Sequence, residues 1–328
     1  MYNTFKEVKI GDIVKKSLGV AILFSKLQPK ATVLAVLSLF VVALALQFAP
    51  IIGVILALFA TIPGIVLWNK SKASYGITAV AAVILSTLLG NTFVLSAIIA
   101  ILFMSFVIGQ LLIERTPKEG ILYITTTFIS LIAISGFMVL QYLKVIPTAE
   151  KLIEPLKTLF IDAVQQATMF KALGEDKQIV EEGFRLLSVQ LPAYAVIAIF
   201  IFVLINLLIT FPLVRKFKVA TPVFKPLYAW QMRRSLIWVY FFVLIGMMFA
   251  MEPSPFQTIV LNFRLVLELV MYIQGLSLIH YFGKVKRMPQ SGSVGLMVLG
   301  TVMTPLLPIV SLLGMLDLGI NLKRMIKK

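Results

Sequence analysis

The stretch that decides the fold is 31-ATVLAVLSLFVVALALQFAPIIGVILALFATIPGIVLWN-69, thirty-nine consecutive residues without a charged side chain. A bilayer crossing needs about 20 apolar residues, so this run is long enough for two. Its middle reads Gln47-Phe48-Ala49-Pro50, and a proline, together with the residue before it, disfavours helix. Two membrane helices joined by a tight turn at Ala49-Pro50 are expected. Working outward, Ala73–Ile113 is uncharged over 41 residues and divides at Gly90-Asn91. Gly120–Leu143 supplies a fifth span, Leu186–Val214 a sixth, Ser235–Met251 a seventh and Phe256–Phe282 an eighth. The last apolar stretch, Met288–Leu316, is interrupted by Pro305 and Pro308. It is either a straight ninth span or an element that turns back at Thr304-Pro305-Leu306-Leu307-Pro308, a form tolerated only where its backbone is buried in protein or lines a cavity.

Composition points the same way. Of 328 residues 60% are hydrophobic and 13% charged, with a mean hydropathy of +1.00, whereas soluble domains carry about 25% charge. The chain therefore reads as an all-α, polytopic transmembrane helical bundle of about eight or nine membrane segments. Residues 1–30 form a cytoplasmic amphipathic segment, too polar for a cleaved signal peptide. Lys9, Lys15, Lys16 and Lys26, spread among Ile10, Ile13, Val14, Leu18 and Ile22, suit a surface helix held to anionic lipid.

Loop charge sets the orientation. Residues 1–30 hold six lysines against two acids, and 215–234 hold six basic residues and no acid. Lys70 and Lys72, Arg115 and Lys118, and Lys284, Lys286 and Arg287 fall on the same side. By the positive-inside rule that side, with the N-terminus, is cytoplasmic. The 144–185 segment, with six basic and seven acidic residues, then lies outside. In it Leu152, Leu156, Leu159, Phe160, Ala163, Val164, Ala167 and Phe170 recur at helical spacing up to a break at Gly174-Glu175-Asp176. Ile179, Val180, Phe184 and Leu187 follow. This is an interfacial helix pair, or a lid over an outward cavity.

The formal charge of +16 sits beside membrane spans, so it marks topology and not nucleic-acid binding. With no cysteine and one histidine, disulfides, thiolate metal sites and HExxH motifs are excluded. No phosphate-binding glycine loop is present. The aspartates Asp12, Asp162, Asp176 and Asp317 put no pair inside a span, as an intramembrane aspartyl protease requires. No catalytic constellation, metal site or cofactor is expected, and the protein reads as a non-enzyme.

Arg264 and Glu268 are the opposite charges inside a span, one helical turn apart. Ionisable residues at that depth face the protein interior or each other, and mark functional sites by default. Gln110, Asn206, Asn262 and Gln274 are buried amides, suited to interhelical hydrogen bonds or to lining a ligand path. His280 reads as an interfacial side chain, and Trp68, Trp230 and Trp238 as belt aromatics. Ala31 and Ala35, and Ala45 and Ala49, are small-residue pairs suited to close helix packing.

Several motifs together resemble the YybS family of bacterial integral membrane proteins, a family of unassigned function. They are Pro50-Ile51-Ile52-Gly53, the basic turn Lys72-Ala73-Ser74-Tyr75-Gly76, Phe224-Lys225-Pro226 with Trp230, Gln274-Gly275-Leu276-Ser277-Leu278-Ile279-His280-Tyr281-Phe282, and Leu313-Gly314-Met315-Leu316-Asp317. In the family an arginine usually precedes the glycine of the second motif; here the turn has none. The family is similar to the membrane-embedded substrate-binding (S) components of energy-coupling-factor transporters. That resemblance implies an S-component-like six-helix core over 31–214, with the outside loop 144–188. The basic cytoplasmic loop 215–234 and C-terminal helices with a basic tail over 235–328 are additions to that plan. It also implies a bacterial cell-membrane location, and a transmembrane coupling subunit docked on the stripe that Ala31, Ala35, Ala45 and Ala49 match. Two functions stay open. One is a subunit that binds a small or amphiphilic ligand, for which a polar outward cavity of about 300–1,000 Å³ is expected. The other is a membrane scaffold or assembly factor with no ligand of its own, docking partners through its basic loop.

Overall fold

The computed structural model describes residues 26–166, 177–251 and 254–326, and among these every regular element is helical. The expected N-terminal surface helix lies outside the described residues, as does the break at Gly174-Glu175-Asp176. The elements are α1 (Pro29–Phe48), α2 (Pro50–Lys70), α3 (Lys72–Leu88), α4 (Thr92–Ile113), α5 (Lys118–Tyr142), α6 (Ala149–Gln166), α7 (Lys177–Val189) and α8 (Leu191–Lys216). Then follow α9 (Ser235–Met248), α10 (Pro255–Val285), α11 (Gln290–Val302), α12 (Leu307–Ile320) and a short α13 (Leu322–Ile326).

Six of these, α1, α2, α4, α5, α8 and α10, are long and apolar enough to cross a bilayer. The shorter apolar helices α3 and α9 correspond to the expected third and seventh segments. The last stretch is not a straight span. α11 and α12 meet at 117° across Met303–Leu306, where Pro305 and Pro308 remove backbone donors and disfavour a continuous helix.

Local chemistry explains the breaks. Ala49 leaves the helical region at φ −141° and Pro50 starts α2, where its missing N–H costs nothing. Gly90 sits at φ +68°, a conformation glycine adopts without strain. Asn91 then caps α4, its Oδ1 accepting the Phe93 N–H at 2.9 Å, and its Nδ2 donates to Gln47 Oε1 at 2.7 Å. Ser71 caps α3 by accepting the Ser74 N–H.

The described residues form two compact units, those within 1–131 and 199–224, and those within 132–198 and 225–328. In the first, Leu39, Val42, Ala43 and Leu46 of α1 pack with Ala57, Ala60, Ala82, Val94, Ile98 and Leu102. Gly53 lets α2 lie against α1, because a Cβ there would stand 2.6 Å from the Leu46 backbone. The opposite face of α1, with Val33, Leu34, Leu37 and Val41, is exposed. Such a surface is disfavoured in water and is what lipid tails solvate.

The second unit is built around α10. Here the backbones of α10 and α12 touch: a Cβ on Gly275 would stand 1.9 Å from Val310 O, and one on Gly314 1.8 Å from Met271 O. Small residues at a crossing let membrane helices approach this closely. The two glycines belong to the Gln-Gly-Leu and Leu-Gly-x-Leu-Asp motifs.

Candidate functional site

The α10–α12 crossing places Gln274, Ser277 and Asp317 together, and the turn after α12 adds Lys323. All four are buried, Asp317, Gln274 and Ser277 completely. Asn321 closes α12 in the left-handed region at φ 58°, which folds α13 back over the helix end. The Lys323 N–H then donates to Asp317 Oδ1 at 3.0 Å, and Gln274 Nε2 donates to Asp317 Oδ2 at 2.5 Å. Lys323 Nζ stands 4.0 Å from Asp317 Oδ2 and donates to Trp230 O at 2.6 Å and Ser277 Oγ at 2.7 Å.

The cluster also captures the end of the basic loop. Gln274 Oε1 accepts the Met232 N–H at 3.0 Å. Ser277 Oγ lies 2.6 Å from Leu227 O and 2.9 Å from Trp230 O. A hydroxyl has one proton to give, so with Lys323 serving Trp230 O, the serine donates to Leu227 O. Trp230 Nε1 donates to Lys225 O at 3.1 Å. Burial pushes the Lys323 ammonium below its ordinary pKa, and the Asp317 carboxylate opposes that shift. Removing Asp317 alone would leave the buried ammonium without its opposite charge. The arrangement exposes no nucleophile or base. It clamps 227–232 onto α10 and α12, leaving Lys225, Arg233 and Arg234 exposed. With its amide oxygen facing them, Asn321 accepts from Arg234 Nη2 at 2.8 Å and Arg324 Nε at 3.2 Å.

The other amides serve structure in the same way, although only Asn206 is buried and Gln110 and Asn262 are half-buried. In the first unit Asn206 Nδ2 donates to Leu58 O at 2.7 Å and approaches Thr61 Oγ1 at 3.0 Å, and Thr210 completes this fully buried group. Gln110 Oε1 accepts from Trp68 Nε1 at 3.2 Å, and its Nε2 donates to Glu114. In the second unit Asn262 Oδ1 accepts the Ala193 N–H at 2.8 Å, while its Nδ2 donates to Val189 O and Thr258 O. These bonds tie the start of α8 to α10. Neither Asn206 nor Asn262 joins Arg264 and Glu268. Those two bind each other, Arg264 Nε to Glu268 Oε1 at 2.7 Å, and remain 41% and 33% exposed; they are not enclosed by the described residues. Of the small-residue pairs, Ala35 is buried within the unit beside Leu67 and Tyr75, with Ala31 partly buried against the same group. Ala45 and Ala49 are partly buried.

Asp317, Lys323 and Ser277 are absent from the expected site residues. Asp317 ends an apolar run and Lys323 lies in a basic tail, so both look like topology markers. The signal that marks Ser277 and Asp317 is Gly275-x-Ser277 and Gly314-x-x-Asp317, a polar residue two or three positions beyond a packing glycine; Lys323 carries no such mark. His280 stacks edge-on against Tyr228 at 5.3 Å, with Lys284 Nζ 3.8 Å over the same ring. Lys118 is not a loop charge but is buried, donating to Val223 O with its ammonium 5.5 Å over Phe224.

A polar cleft of about 210 Å³ lies between α6 and α7, lined by Glu150, Ile153, Glu154, Lys157, Glu181, Phe184, Arg185 and Ser188. Beside it Arg185 grips Glu182 at 2.7 Å, which holds that carboxyl below its ordinary range. Leu152, Leu156, Leu159 and Phe160 are exposed on α6.

Closed polar clusters in a bundle with lipid-compatible outer faces define a polytopic α-helical integral membrane protein. Residues 35–318 match the family described as predicted membrane protein (DUF2232), and the chain belongs to that family. It is similar to "Uncharacterized protein YybS" of Bacillus subtilis (strain 168), with 26% identity over 151 residues, 46% of this chain and 49% of that protein. The chain thus spans about half the length of that curated relative. No solved structure matches.

Proposed function

We propose that the protein acts by binding other membrane proteins, as a non-enzymatic scaffold or assembly subunit of the bacterial cell membrane, with its N-terminus and basic loop cytoplasmic. The observation that carries this reading is where the amide side chains of the spanning helices direct their hydrogen bonds. Asn206, Asn262, Gln110 and Gln274 each bond to the chain itself, as interhelical amides most often do. The Asp317–Lys323 cluster holds a basic loop edge in fixed shape, and a rigid edge recognises a partner at lower entropic cost than a mobile one. The test is crosslinking in native membranes followed by purification, comparing wild type with Arg233→Ser/Arg234→Ser. A defined stoichiometric partner, lost in the variant, is expected. A chain that purifies alone from crosslinked membranes refutes the scaffold.

The α6–α7 cleft favours a second reading, a substrate-binding subunit in the manner of transporter S components. Its lining carries both charge signs, which suits a small zwitterionic or cationic ligand. At about 210 Å³ it falls below the usual pocket range of about 300–1,000 Å³, so the ligand would be small. Native mass spectrometry of the gently purified protein reads this directly: a retained small molecule, lost in Glu154→Gln/Glu181→Gln, supports it, and its absence from wild type refutes it.

A further inference from the structure

The Arg264–Glu268 pair has a position that neither polar cluster explains. Met232, which donates to Gln274, is followed by Arg233 and Arg234, so Gln274 lies level with the charged membrane surface. Arg264 stands ten residues before Gln274 and nine after Pro255, where α10 begins. At 1.5 Å per residue these are about 15 Å and about 14 Å, which places the pair near the middle of a hydrocarbon core about 30 Å thick. At that depth it is 41% and 33% exposed. Lipid tails offer no hydrogen bonds, and ionisable side chains in a bilayer nearly always face protein or a water-filled cavity.

The surface beside the pair is shaped to receive a helix. The row Phe256, Val260, Arg264, Glu268 runs along α10 at four-residue intervals, and its first half lines an apolar groove of about 350 Å³ with Phe242 and Gly246 of α9. Gly246 leaves the groove floor open, and a Cβ there would meet Val260 only at ordinary van der Waals distance, 3.4 Å. The next residue, Met247, places its sulfur 3.7 Å from Arg264 Nη1. Arg264 Nη2 and Glu268 Oε2 have no hydrogen-bond partner among the described residues.

We propose that the α9–α10 groove and the Arg264–Glu268 pair together form an intramembrane docking site for one transmembrane helix of a partner protein. That helix would carry an amide or hydroxyl side chain at mid-bilayer depth. An amide suits the site because it accepts from the guanidinium while donating to the carboxylate, and the apolar groove takes the rest of the partner's face. This deepens the scaffold reading and rests on it.

The experiment uses the full chain reconstituted in liposomes, with the photocrosslinking residue benzoylphenylalanine in place of Phe242, or of the exposed Val80 as control. The probes are two synthetic transmembrane peptides, one all-leucine in its core and one with a single central glutamine. Crosslinking at Phe242 is expected to favour the glutamine peptide about three- to tenfold, the range an intramembrane hydrogen bond supports, with no preference at Val80. Arg264→Met/Glu268→Leu, which leaves no orphaned charge, is expected to abolish the preference. Gly246→Leu, which keeps the pair and fills the groove, is expected to lower crosslinking of both peptides. Equal yields for the two peptides, adducts only with lipid, with the same chain or with a second copy, or a preference surviving the double substitution each overturn the proposal. In native membranes the two readings separate. Partners retained by Arg264→Met/Glu268→Leu would sink the groove and leave the scaffold standing. A wild-type chain without partners that still selects the glutamine peptide would do the reverse.

Discussion

Replacing Asp317 by leucine is expected to destabilise the protein far more than replacing Lys323 by methionine, although the two residues face each other. The inequality follows from what each substitution strands. Without Asp317, Gln274 Nε2 and the Lys323 N–H lose their acceptor, and the Lys323 ammonium loses the opposite charge 4.0 Å away. A hydrogen bond to a charged group contributes about 1.5–3 kcal/mol, and a buried charge left unpaired costs about 3–5 kcal/mol, so the loss is about 3–5 kcal/mol even if the tail relaxes. Without the Lys323 amine, Asp317 keeps two donors, the glutamine amide and a backbone N–H. Ser277 can then serve only one of Leu227 O and Trp230 O, which leaves one carbonyl unsatisfied, about 1–3 kcal/mol. In the double variant the losses should fall short of their sum by about 0.5–3 kcal/mol, as for residues sharing one network. The assay is thermal unfolding in mild detergent followed by tryptophan fluorescence, to which Trp230 reports from within the cluster. Equal losses, a reversed order, or strict additivity would refute the reasoning.

The same lysine gives a pH dependence. Its pKa is lowered on folding, chiefly by burial, so between the folded value and the ordinary 10.5 the unfolded chain binds more protons and stability rises with pH. Wild type should therefore gain stability relative to Lys323→Met as pH increases toward 10.5, and parallel profiles would count against it. Gly314→Ala should destabilise by about 1–3 kcal/mol through overpacking at the Met271 carbonyl. Gly76→Ala, whose Cβ meets nothing within 4 Å, should stay within about 0.5 kcal/mol of wild type in the same melt. Asn206→Leu should cost about 1–3 kcal/mol by leaving Leu58 O and Thr61 without their amide partner, and a neutral result would show that water replaces it. A cysteine at Lys218 should resist impermeant thiol reagents on intact cells, whereas efficient labelling from outside would invert the topology.

Much of the molecule is local in origin, and so legible in the sequence. The uncharged runs, the Ala49-Pro50 turn and the Gly90-Asn91 break arise from hydropathy and backbone chemistry within a few residues, and they recur in the structure at those positions. The Arg264–Glu268 bond is equally local, one turn of one helix. The Pro305 and Pro308 pair marks a break but carries no angle; the 117° bend follows from how α12 packs on α10.

Hydropathy and helical spacing alone determined that the chain is a polytopic helical membrane protein and where most of its apolar helices lie; of the four amides expected to be buried, Asn206 and Gln274 are, while Gln110 and Asn262 are half-buried. Only the tertiary structure decided what those amides touch. Gln274 and Asp317 are 43 residues apart and Lys323 and Trp230 93, and nothing in either segment names the other. They meet because Gly275 and Gly314 allow two backbones into contact and because Asn321 turns left-handed at the end of α12. A charge in a loop and a charge in a buried network look alike in a sequence, since the difference lies in the dielectric around them, and that is set by which helices pack against which.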